Sequence, residues 1–119
     1  MTPHAPIDLA AKLAAFDERY APRVVAQFNG HDVMVAKLEG PFVWHRHDDT
    51  DDFFLVLQGT LRILLRDGEV VLGPGQLHVV SQGVEHCPVA DGEVHVMLIE
   101  RRGTPNTGDP ATAAPRREL

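Results

Sequence analysis

The chain has one cysteine, one tryptophan and one tyrosine, and it lacks any apolar run of the roughly eighteen residues that a spanning helix needs. A single thiol closes no internal disulfide, so folding owes nothing to oxidising conditions and the expected compartment is the cytoplasm. The N-terminal MTPHAPIDLAAKLAAF has neither the basic start nor the continuous apolar centre of a secretory leader. Positive charge is scarce as well: 11 Lys and Arg against 17 Asp and Glu give a formal net charge of −6, and no basic run of five or more occurs. That balance argues against nucleic acid as a partner. What is present is enough for one domain, because a chain of 119 residues buries roughly two-thirds of its unfolded surface.

Residues 7–18 carry Ile7, Ala10, Leu13, Ala14 and Phe16 at roughly a helical period between Pro6 and Pro22, which predicts a short N-terminal helix. RVVAQF and DVMVAKL flank Asn29-Gly30-His31. An Asn-Gly pair between two strand-like runs predicts a tight hairpin, because both residues accept positive φ, and it places His31 in a solvated turn. The remainder reads as short strands at 41–47, 52–58, 60–66, 69–72, 77–80, 84–88 and 93–100, punctuated by Asp67-Gly68, Gly73-Pro74-Gly75 and Asp91-Gly92. That rhythm favours a closed or sandwiched antiparallel sheet over βαβ units. From Gly103 onward Pro, Thr and Ala dominate without an apolar period, which predicts an irregular or disordered tail over 110–119.

The segment His45-Arg46-His47-Asp48-Asp49-Thr50-Asp51-Asp52 carries the chemistry. Two imidazoles at i and i+2 of an extended segment share a face. With the carboxylate of Asp52 and a third imidazole, His86, they form a nitrogen and oxygen set suited to a divalent first-row ion. The chain resembles the cupins on these residues. His45, His47, Asp52 and Gly59 match the first cupin motif with four spacer residues, and Gly75, Ser81, Gly83 and His86 match the spacing of the second. Asp52 stands where the family has Glu, Ser81 where it has Pro and Ala90 where it has Asn, while Gly40 precedes His45 by one residue fewer than usual. The fifteen residues between Gly59 and Gly75 resemble those of compact, mannose-6-phosphate-isomerase-like single-domain cupins.

The resemblance implies an all-β double-stranded β-helix, or jelly-roll barrel, over 22–109, preceded by residues 1–21 with the short helix. It implies a divalent transition metal (Zn, Mn, Fe, Ni or Cu) on His45, His47, Asp52 and His86. It also implies a small-molecule ligand or substrate and a homodimer to which the Asn29-Gly30 hairpin contributes. Two function classes follow: a metal-dependent isomerase, epimerase or dioxygenase acting on a small oxygenated metabolite, or a non-catalytic ligand-binding or sensing barrel with or without metal. Asp52, Glu85 and Glu100 are the barrel carboxylates available for proton transfer, and parity turns Glu85 away from His86. His78 and His95 fall in expected strands with no motif behind them. Cys87 and Trp44 have parity opposite to the neighbouring ligand candidates, which predicts a plain buried thiol and an indole packed on the outer face.

Overall fold

The computed structural model describes residues 4–119. One short helix and seven strands follow in order: α1 (Leu9–Leu13), β1 (Arg23–Phe28), β2 (His31–Pro41), β3 (Asp52–Leu65), β4 (Gly68–Leu72), β5 (Leu77–Val80), β6 (His86–Arg101) and β7 (Arg117–Glu118). The long strand β6 lies between β2 and β3 and pairs antiparallel with both. On its other edge β3 meets β5 through Asp52–Leu55 and β4 through Leu61–Leu65. The outer edges, β4 and β5 on one side and β7 on the other, do not pair, so the sheet is not closed. It curls around an apolar interior in which Met34, Ala36, Val56, Leu61, Ile63 and Val94 have no exposed surface. The architecture is all-β with one small helix, the antiparallel sheet that the strand rhythm predicts and the jelly roll that the resemblance implies.

The hairpin forms as expected, with Asn29 at φ 50° and Gly30 at φ 76° and Phe28 facing His31. His31 belongs to β2 and is half-buried, with its Nδ1 2.9 Å from Asn29 O.

Three expected boundaries are corrected. The helix covers only Leu9–Leu13, capped by Asp8, whose Oδ1 accepts from Ala10 N at 3.0 Å. The chain then leaves the helical path because the buried Lys37 Nζ donates to Phe16 O at 2.6 Å, pinning Phe16 beside Leu13, Val25 and Val35 against the sheet. The expected strands 52–58 and 60–66 are one strand, as are 84–88 and 93–100. Gly59 does not end β3 but lets it bend: at φ +85° a Cβ here would stand 2.8 Å from Glu93 O, and the β3–β6 register shifts on either side of Gln58. Finally, no strand spans 41–47. β2 stops at Pro41, and beyond it only His45 makes a ladder contact, an isolated bridge to His86.

The last residues are tied to the barrel. Arg116 donates to Asp32 Oδ2 at 2.9 Å and to Glu100 Oε2 at 3.0 Å, Asn106 Nδ2 donates to Tyr20 O at 3.2 Å, and β7 lies parallel to β1. Gly108 presses so closely on the Arg46 carbonyl that no Cβ fits there.

Candidate metal centre

His45, His47, Asp52 and His86 come together at one end of the barrel interior. One ligand atom from each lies within 4.8 Å of the others, and all four residues are buried, His86 to 1% exposure. The elements that achieve this differ from the shared strand face expected for the two histidines. His45 and His86 are coupled backbone to backbone, N to O at 3.0 Å and 2.9 Å, which brings their ring centroids to 4.3 Å. His47 is held by its carbonyl, which accepts from Gly83 N at 2.7 Å; Gly83 has φ +79°, a conformation open to glycine. Asp51 Oδ1 accepts from the neighbouring Gln82 N at 2.9 Å. The loop before β3 and the loop after β5 are thus stitched together under the site. Asp52 is the first residue of β3 and shares its inward parity with the buried Phe54 and Val56.

Two of the rings are oriented from behind. His45 Nδ1 and His86 Nδ1 each sit 2.9 Å from a carbonyl oxygen, Val43 O and Val84 O. A carbonyl only accepts, so in each neutral ring Nδ1 carries the proton and the lone pair of Nε2 faces the centre. There the Nε2 atoms of His86, His47 and His45 meet Asp52 Oδ2 at 2.9, 3.3 and 4.0 Å. Where the rings are neutral, these lone pairs and the carboxylate repel unless a proton, as in the 2.9 Å His86–Asp52 hydrogen bond, or a metal cation lies between them. The Nε2 of His47 is the clearest case: it is buried, and its 3.3 Å approach to Asp52 lacks the alignment of a hydrogen bond, so it has no partner.

Protons fill this role poorly. Burial, reinforced by the charge of His86, pulls His45 down to about 4. Burial alone would push Asp52 up, but the imidazoles of His47 and His86 outweigh it and hold the carboxyl well below its usual range. The set is three imidazoles around one anionic oxygen, the donor types that divalent first-row ions take. The residues fit a metal ion.

A cavity of about 40 Å³ adjoins the site, lined by His45 and Asp52 together with Leu38, Phe42, Phe54 and Leu98 among others. Glu100, 5% exposed, also faces it; burial and the neighbouring Asp52 charge push its carboxyl well above the ordinary range. Tyr20 stacks on Phe42 at 4.6 Å, and burial pushes its phenol up to about 12. The Cupin_2 family, a cupin domain, matches residues 32–100.

The chain belongs to the cupin family. A cupin-2 domain containing protein from Shewanella frigidimarina ncimb 400 is 43% identical, with TM-score 0.79 over 81% of this chain and 94% of that one. Protein NMB1881 from Neisseria meningitidis is 28% identical, with TM-score 0.74 over 82% of this chain and 99% of that one. YdbB, an uncharacterized protein of Bacillus subtilis (strain 168), is 34% identical over 70 residues, which span 58% of this cupin and 62% of YdbB.

The remaining candidates fall outside the centre. Glu85 is exposed and pairs with Arg66 at 3.3 Å, as its parity requires. Trp44 is 39% exposed, with the Arg66 guanidinium 3.8 Å over its ring. Cys87 is buried, and burial pushes its thiol up, away from nucleophile chemistry. His95 sits on the outer face 2.6 Å from Glu93, and His78, half-buried opposite Phe54, does not line the cavity. Tyr20, Phe42 and Asn106 line the cavity without having been singled out in the sequence. No helix among the described residues is long and apolar enough to cross a membrane.

Proposed function

We propose that this cupin holds one divalent transition metal, of the group Zn, Mn, Fe, Ni and Cu, on His45, His47, Asp52 and His86, and that it acts on a small oxygenated metabolite. The unpartnered Nε2 of His47 carries the reading. A buried nitrogen left without a partner costs about 1–3 kcal/mol, and a cation on its lone pair removes that cost. When bound, the ion polarises a carbonyl or hydroxyl oxygen or, with Fe, Ni or Cu, supports oxygen chemistry, which gives isomerases and epimerases on one side and dioxygenases on the other. The chain's own part is to fix the imidazoles through Val43 O and Val84 O and to keep water out with Leu38, Phe54 and Leu98. The test is elemental analysis of the purified protein, then a turnover screen of oxygenated metabolites before and after chelation. Stoichiometric metal with chelator-sensitive turnover is expected. Metal without any turnover leaves a binding or sensing barrel, and no metal refutes the centre.

The same reading makes the protein a cytoplasmic homodimer. Its single thiol, the buried Cys87, suits a reducing compartment. On the outer face, Val79, Phe53, Ile99, Val33 and Ala26 form one row across five strands. Phe28, Leu77 and Val79 in and beside it are 63%, 54% and 42% exposed. A second copy would cover this apolar face together with the hairpin that bears Phe28. A light-scattering mass of one subunit at micromolar concentration would contradict it.

A further inference from the structure

Resting on the metal-centre reading, the geometry points to an uncharged, mainly apolar ligand that reaches the ion through one oxygen, and to the rejection of polyhydroxylated and phosphorylated compounds of the same size. The apolar walls of the cavity are Ala36, Leu38, Phe54 and Leu98 together with Phe42 and Pro22. None of these offers a polar side-chain atom.

The polar side chains that do line the cavity are mostly engaged. The Tyr20 hydroxyl donates to Gly40 O at 2.5 Å. Asn106 is used at both ends: its Nδ2 donates to Tyr20 O, and its Oδ1 accepts from Ala114 N at 3.1 Å. Glu100 gives Oε2 to Arg116. That leaves His45 and Asp52, which belong to the metal site, and the second oxygen of Glu100. A ligand carrying several hydroxyls would bury most of them without partners, and each such group costs about tenfold or more in affinity.

Charge points the same way. No lysine or arginine lines the cavity among the described residues, whereas two carboxyls, Asp52 and Glu100, do. Arg116, which pairs with the lining residue Glu100, is also turned to Asp32. A phosphate entering here would face the Asp52 carboxylate and no cation besides the ion. Size limits the ligand further: about 40 Å³ is the space of a few water molecules.

The test uses three compounds that share one carbonyl head: pentan-3-one, dihydroxyacetone, in which two methyl groups become hydroxyls, and dihydroxyacetone phosphate. The full-length protein is loaded with Zn(II), its metal content is confirmed by elemental analysis, and binding is followed by NMR through the Leu38 and Leu98 methyl signals. Pentan-3-one should shift those methyls and bind at least about tenfold more tightly than dihydroxyacetone, with the phosphate weakest. Leu98→Asn, which puts an amide on the wall, should narrow the gap. If that variant does not fold, the comparison in the wild-type protein decides alone. With zinc bound, equal or tighter binding of dihydroxyacetone or its phosphate overturns the inference and leaves the metal centre standing, as does failure of pentan-3-one to move either leucine. Failure of the protein to retain zinc overturns both.

Discussion

His47→Leu should reverse the order of stability between the metal-free and metal-loaded protein. In chelator, the wild type carries a buried imidazole nitrogen with no hydrogen-bond partner. Such an orphan costs about 1–3 kcal/mol, and leucine, of similar bulk, removes it from a site that is 4% exposed. For a domain of this size one kcal/mol corresponds to roughly 4 °C, so the metal-free variant should melt about 4–12 °C above the metal-free wild type. With metal at a thousand times the dissociation constant, the wild type gains about 4.1 kcal/mol, or some 16 °C, by mass action. The variant, with one of three imidazoles gone, should gain almost nothing and should now be the less stable of the two. Scanning calorimetry with and without Zn(II), with bound zinc measured in each sample, reads both halves of the crossing. A variant less stable than wild type in chelator, or one that shows the same zinc-dependent rise, would refute the argument that the orphaned nitrogen is waiting for a cation.

Asp52→Ala should lose metal as completely as His47→Ala, because Asp52 Oδ2 stands within 4.8 Å of all three imidazole nitrogens; a weakening of only about 10- to 100-fold in a zinc titration would place Asp52 behind the ligands instead. The metal-free protein should lose stability as pH falls from about 6.5 to about 4. Over that window the unfolded chain protonates His45 while the folded chain resists down to about 4, a difference of up to about 3 kcal/mol at the acid end. Chemical denaturation across this range should be flatter for His45→Gln, and equal slopes would remove His45 as the cause. Gly59→Ala forces a side chain into φ +85° with its Cβ 2.8 Å from Glu93 O, and should cost at least about 2 kcal/mol in urea denaturation. A change within about 0.5 kcal/mol would mean the β3 bend relaxes freely.

The site was legible in the sequence because its donors are the residue types a metal demands, at spacings that survive as a pattern: His45, His47, Asp52 and His86 all arrive where that pattern puts them. Strand parity also carried Asp52 inward and Glu85 outward. It failed for the route taken by His45 and His47. Pro41 ends the strand, and convergence is produced by the reciprocal backbone bonds of His45 with His86 and by the Gly83 contact to His47, long-range pairings that no local period encodes. Gly59 and Gly92 read as breaks because glycine usually punctuates, whereas here each lies inside a single strand. The cavity wall was least legible. Asn106 and Arg116 sit in a stretch without apolar period, and each is fastened by polar contacts to partners up to 86 residues distant.

That last attachment imposes an order in time during synthesis. The four candidate ligands lie between residues 45 and 86 and need β6 to be brought together, so the nascent chain can assemble them once Arg101 is clear of the ribosome. Asn106, Gly108 and Arg116 follow later, and only then are the Tyr20 carbonyl, the Arg46 backbone and Glu100 covered. For the interval between the two events the centre exists with one wall of its cavity missing. In that interval the four side chains would be more open to an ion than they are in the finished barrel.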